Sequence, residues 1–236
     1  MKNFFIILVS IILLIILAMI LIPYFYKDDL LNYMKQEANK NLEAKVEFSN
    51  DIGLSLFRNF PDFTLTVRDI KVINKAPFKG DTLAQTQRFR TTIDLFSVIG
   101  GDQLEIKGIH INKPRINVHV LEDGTANYNI MKAGDTTAQQ QEDASAGESG
   151  PSTFTMALQS YSISDAYFIY NDESLDFFTE LKGLNHEGSG DFTMDVFNLD
   201  TETDVKKLTL GYGGINYLDQ VKTVLNAKLK MNMKQF

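Results

Sequence analysis

The chain has 236 residues, with 23 Lys and Arg against 30 Asp and Glu, for a formal charge of −7 at pH 7. That acidic balance argues against a nucleic-acid partner, because such binding neutralises phosphates with Lys and Arg. There is no Cys, which excludes disulfides, thiolate metal sites and thiol nucleophiles, and three His with no Trp leave little material for a catalytic centre.

The first element is the run 4–22, in which Ser10 is the only clearly polar residue. A helix rising about 1.5 Å per residue over this run comes close to the roughly 30 Å hydrocarbon thickness of a bilayer. Residues 1–26 therefore read as a membrane anchor, with Phe4, Ile12, Leu17 and Ile22 as anchor residues. A cleaved signal has a shorter apolar core and a small-residue cleavage site. Here the run ends in Tyr24-Phe25-Tyr26, which suits a headgroup-level aromatic belt. Lys2 precedes the run, and Lys27, Lys35 and Lys40 follow it, so flanking charge does not set the orientation. The long remainder favours an inside amino terminus with the bulk translocated, since large domains cross largely regardless of charge.

Residues 27–43 predict an amphipathic helix. Asp28 and Asp29 can cap it, and Leu30, Leu31, Met34, Ala38 and Leu42 fall on one stripe. Such a helix lies on a membrane or covers a sheet, and covering a sheet is the simpler reading.

Residues 44–132 form a first β segment. Phe63, Leu65 and Val67 alternate with polar residues, and after Asp69 the phase slips to Ile70 and Val72. A one-residue slip inside a strand predicts a β-bulge, since otherwise the apolar face would invert. Further strands are expected over 88–96, 103–111 and 115–120, between turns at 74–77, 79–81, 100–101 and 123–124. Residues 133–153 hold no large apolar side chain and read as a disordered insert.

Residues 154–236 form a second β segment. Alternation places Ala166, Phe168 and Tyr170 on one strand face and Phe192, Met194 and Val196 on another. Leu208, Leu210 and Tyr212 precede the turn Gly213-Gly214. Leu225, Ala227, Leu229, Met231 and Met233 form the cleanest run. The fold class is thus mainly β with N-terminal helices: a transmembrane helix, an amphipathic helix, then a curved antiparallel β-meander or groove. The last strand runs almost to Phe236 with no cap, which predicts that the natural sheet continues further.

Chemistry is sparse. Gly147-Glu148-Ser149-Gly150 only approaches a nucleophile elbow. Gly211-Tyr212-Gly213-Gly214 lacks the Lys-Ser/Thr of a phosphate loop and reads as a hairpin turn. His110 and His119 fall on or beside strands with no paired acid at a recognisable spacing, His186 falls in a turn, and each reads as a solvated or rim histidine. Asp191, Asp195, Asp200 and Asp204 lack the spacing of a calcium loop and read as solvent-face charges. We therefore expect no catalytic residue, no metal, no cofactor and no enzymatic activity. The remaining candidate is the apolar face itself, with Phe63, Leu65, Val67, Phe192, Met194, Val196, Leu225, Leu229 and Met231 as lipid-facing residues. An ordinary sandwich core explains the same alternation.

Several short motifs in this order resemble the amino-terminal part of the AsmA family of Gram-negative envelopes. They are Ile52-Gly53-Leu54-Ser55-Leu56-Phe57, Phe60-Pro61, and Asp69-Ile70-Lys71-Val72-Ile73-Asn74. Next come Lys107-Gly108-Ile109 and Asn112-Lys113-Pro114-Arg115-Ile116. Asp123-Gly124-Thr125-Ala126-Asn127-Tyr128 is similar to the family's Asp-Gly-x-x-Asn-aromatic signature, and Ile163-Ser164-Asp165-Ala166 and Gly190-Asp191-Phe192 to its second block. Leu42-Glu43-Ala44-Lys45-Val46 departs from the family's Thr-Gly-Arg-like turn. The resemblance implies kinship with bridge-like lipid-transfer proteins, an inner-membrane anchor, a periplasmic body and a role in outer-membrane biogenesis. It implies membrane phospholipids, and possible envelope proteins, as partners. It carries over no catalytic residue.

Overall fold

The computed structural model describes residues 42–59, 61–100, 104–132, 154–155 and 157–232, with positions 32, 35, 36, 39 and 40. The expected anchor 1–26, most of the 27–43 helix and the insert 133–153 lie outside these residues. Among the described residues no helix is long and apolar enough to cross a membrane. Positions 32, 35, 36, 39 and 40 are helical. Asn39 fastens this stretch to the first strand: its amide donates to Val46 O at 3.0 Å, and its carbonyl accepts from Val46 N at 2.8 Å.

The strands are β1 (Ala44–Glu47), β2 (Gly53–Asn59), β3 (Asp62–Asn74), β4 (Thr82–Asp94), β5 (Leu104–Asn112), β6 (Arg115–Val120), β7 (Phe154–Thr155), β8 (Ser160–Asp172), β9 (Phe177–Ser189), β10 (Val196–Tyr212) and β11 (Ile215–Asn232). The short helix α1 (Leu95–Gly100) follows β4. They build one eleven-stranded sheet in the order β1-β3-β4-β5-β8-β9-β10-β11. In it β2 lies beside β3, β6 pairs with β4 and β8, and β7 pairs with β5. β5 and β6 act as one interrupted strand, broken at Lys113 and at Pro114, which has no N–H to give the ladder.

Two strand expectations are corrected. The strand expected over 88–96 ends at Asp94, whose carboxylate accepts Ser97 N at 2.8 Å and caps α1. The strand expected over 192–196 is a turn as far as residue 195. Asp191 accepts Thr193 N at 3.1 Å, and this local hydrogen bond competes with the ladder.

The sheet is also mixed rather than a purely antiparallel meander. β8 runs parallel to β5 and β6, and β7 runs parallel to β5. After β6 the chain folds back along the sheet end, pairing Ala126 with Val120 and Met131 with Leu42. It re-enters beside the start of β5, where Gln159 N donates to Lys107 O at 2.8 Å, so β8 runs in the same sense as β5. Parallel neighbours need such a crossover.

A line of left-handed residues crosses the strands. Asp69 (φ 52), Lys113 (φ 51), Asp165 (φ 51) and Gly183 (φ 64) belong to β3, the β5–β6 break, β8 and β9, and Gln220 (φ 52) of β11 lies just past this line, between Val221 and Leu218. Lys113 lies level with Asp165, since Asn112 opposes Ser164 and Arg115 opposes Tyr167. At this crease the apolar series steps by three residues instead of two, as from Val67 to Ile70, Ile163 to Ala166 and Leu181 to Leu184. In β10 the register shows the step directly, because Val205 and Leu208 oppose Thr223 and Val221 of β11. This is a β-bulge. At Asp69 the expected two-against-one bulge is not what forms: Arg68 opposes Arg88 and Ile70 opposes Thr86 with no register shift, so β3 and β4 make the three-residue step together.

Candidate functional site

Residues directly opposite in a ladder share a face, so register alone traces the apolar surface. On one side of the crease a row runs Leu65, Thr91, Ile109, Tyr161, Gly188, Thr201, Ala227. On the other side a row runs Val72, Ala84, Ile116, Phe168, Leu181, Leu208, Val221. Between Val221 and Ala227 β11 alternates without a register shift, so both rows lie on one face. The three-residue steps keep the apolar surface continuous from β3 to β11.

The opposite face is polar. There Asp200 and Lys228 lie 3.6 Å apart and Asp204 and Lys222 3.8 Å apart. Tyr167 donates to Glu180 at 2.5 Å, and that bond holds the phenol above its usual range. A depression of about 660 Å³ is lined there by His110, Ser162, Glu187, Asp200, Glu202 and Lys228.

Exposure grades across the apolar face. Val67 and Ile93 are buried, as are Ala166, Phe197, Leu199 and Val205. Towards β11 the face opens: Leu225 is 61% exposed, Leu229 47% and Val221 41%.

Of the sequence-expected residues, Phe63, Leu65, Val67, Leu225, Leu229 and Met231 lie on this face, opposite Ile93, Thr91, Phe89, Thr203, Leu199 and Phe197. Phe192 and Met194 are in the β9–β10 turn rather than on a strand. Phe192 still folds onto the face, with its ring centroid 4.6 Å from Phe197 and 6.4 Å from Tyr161. Met194 is exposed in the turn. Val196 opposes Asn232 and precedes Phe197, so it points to the polar face. The sequence reading missed Phe89, Ile93, Ile109, Ile111, Ile163, Phe197 and Leu199. The odd-numbered phase of Phe197 and Leu199 was the available signal, and the even-numbered turn residues before them obscured it. The anchor residues Phe4, Ile12, Leu17 and Ile22 lie outside the described residues.

The histidines find partners that spacing did not show. His186 is within β9 rather than in a turn, between Thr203 Oγ1 at 2.9 Å and Tyr161 OH at 3.2 Å. His119 meets Glu173 at 2.8 Å. His110 Nδ1 lies 2.8 Å from Ser162 Oγ, and burial pushes its pKa down, aided by Arg90. Among the described residues no carboxylate orients the other ring nitrogen of His110, as a nucleophile–base pair requires. No group of three or more His, Asp or Glu could hold a metal ion among them either.

The motifs act as fastenings. Lys107 joins Asp62 at 2.8 Å and Asp94 at 2.7 Å, tying β5 to β3 and β4. Asp123 accepts Thr125 N at 2.9 Å, Gly124 takes φ 82, and Asn127 is delivered into the sheet end. There its side chain donates to Asn117 O at 2.7 Å and accepts His119 N at 3.0 Å.

The AsmA family profile matches residues 1–209, from the amino terminus through most of β10. The chain belongs to the AsmA family. AsmA proteins are generally associated with the cell envelope. Comparison with curated proteins and with solved structures gives no match. The AsmA motifs quoted above map onto the bulge at Asp165, the clasp at Lys107 and the Asn127 fastening.

Proposed function

We propose that this AsmA protein is anchored in the inner membrane by the run 4–22, with its body in the periplasm. There it binds or conducts phospholipid along the apolar face of its sheet, in support of outer-membrane biogenesis. The supporting observation is a one-sided apolar surface, continuous across seven strands and open towards β11. Its exposed margin along β11, with Val221, Leu225 and Leu229, is an apolar patch of the kind that marks an interaction or ligand surface. The reading is non-enzymatic.

Lipid extraction and photo-crosslinking test it. Full-length protein carrying a photoreactive residue at Leu225 or Leu229 is expected to yield phospholipid adducts in membranes. The same probe at Val224, on the opposite face, is expected to yield none. Absence of adducts from Leu225 and Leu229, with no co-purified phospholipid, overturns the reading.

A second reading is an envelope assembly factor that takes an outer-membrane protein strand at a sheet edge. It is favoured by β11, which pairs only with β10 among the described residues along 18 residues. Protein adducts from β11 without lipid adducts would select it.

A further inference from the structure

Tyr161, His186 and Thr203 form a polar chain inside the apolar face. Their register partners on that face include Ile109, Ile163 and Leu225. His186 Nδ1 meets Thr203 Oγ1 at 2.9 Å and His186 Nε2 meets Tyr161 OH at 3.2 Å. A neutral imidazole donates from one nitrogen and accepts at the other. At the accepting nitrogen a hydroxyl uses its hydrogen. At the donating nitrogen the other hydroxyl only accepts, and its own hydrogen stays available. Either tautomer therefore leaves one O–H donor unspent, and neither hydroxyl has a further acceptor among the described residues. All three side chains are half-buried and so reachable. A residue other than Gly at 188 would place its Cβ against the Tyr161 ring, so the glycine makes room for the ring in this arrangement.

A ligand that covers this half-buried face strips water from the donor, which then needs an acceptor that the ligand itself carries. The charge around it selects the kind. On the Phe63 side of the crease, residues that register with this face from β3 to β11 include no Lys, Arg, Asp or Glu. A phosphate would arrive without a cation to meet it, whereas a neutral carbonyl needs only the donor.

We infer that the Tyr161–His186–Thr203 chain is a docking point for the ester carbonyl of an acyl lipid lying on the apolar face. The inference rests on the lipid-binding reading above.

Full-length protein in detergent is titrated with diester phosphatidylcholine and with its diether analogue, matched in chains and headgroup but lacking the ester carbonyls. One hydrogen bond is expected to favour the diester by about threefold to tenfold in wild type. A single Tyr161→Phe change is not decisive, because His186 and Thr203 retain a donor. The triple variant Tyr161→Phe, His186→Leu, Thr203→Val removes all three polar groups together and is expected to bind both lipids equally, at the wild-type diether level. Equal binding of the two lipids by wild type, or a preference that survives in the triple variant, overturns the inference while leaving lipid binding intact. Binding of neither lipid by wild type overturns the lipid-binding reading as well.

Discussion

Lys107 shows how much one side chain holds. It sits between Asp62 and Asp94, and the side chains of all three are 15–21% exposed. Lys107→Met leaves two carboxylates facing each other without their cation, and is expected to cost about 1–3 kcal/mol in urea unfolding at pH 7. Asp94 lies below its ordinary 3.8, chiefly because Lys107 donates to it. A carboxylate with a lowered pKa adds stability above its unfolded value and loses it as pH falls through the folded value. Lys107 is raised above 10.5, chiefly by Asp62, so its share is present below 10.5 and lost as pH rises through the raised value. Urea midpoints are therefore expected to drop below about pH 4, and to drop less steeply in Lys107→Met. Asn127 is 2% exposed, and its side chain makes two hydrogen bonds across the sheet end. Asn127→Ala strands both partners and is expected to cost about 2–3 kcal/mol in the same experiment.

At the scale of the strands, the crease makes its own demands. A non-glycine residue in the left-handed region costs roughly 1–2 kcal/mol, and the Lys206 side chain lies where a Cβ at Gly183 would go. Gly183→Val is expected to lower the thermal midpoint by several degrees, the ~1–2 kcal/mol equivalent in calorimetry. Deleting Asp165 removes the extra residue in β8, and Ala166, Phe168 and Tyr170 turn to the polar face. That variant is expected to show no cooperative unfolding transition by circular dichroism. The slip at Asp69 was legible because apolar residues flank it on both sides. The matching steps in β4 and β10 were not, since Gln85, Gln87, Lys206 and Lys207 interrupt the pattern there. The turn at 190–195 was misread for a related reason: Phe192, Met194 and Val196 alternate like a strand, and only the Asp191 hydrogen bond reveals the turn.

For the molecule as a whole, alternation fixed which residues share a face within a strand but not which strands are neighbours. Parallel pairing of β8 with β5 and β6 depends on contacts between residues far apart in sequence, such as Gln159 with Lys107. The polar chain at His186 was hidden for the same reason, since Tyr161, His186 and Thr203 come from three strands. The exposed margin of the face permits a clean test of its role. Leu225→Asp with Leu229→Asp changes side chains that are 61% and 47% exposed. The pair is expected to lower phospholipid affinity at least tenfold, on the order of 1.4 kcal/mol or more, with an unchanged melting curve.

The crease also bears on mechanics. Hydrogen-bond ladders resist stretching along the sheet, but a transverse line of left-handed residues, with bulges in β8 and β10, concentrates twist and bend. A bend about that line would leave the ladders of the panel on each side intact. That line, rather than the ladders on either side of it, is where the sheet would bend. Its apolar lining stays unbroken across that line, because β3, β4, β8, β9 and β10 each step by three residues there.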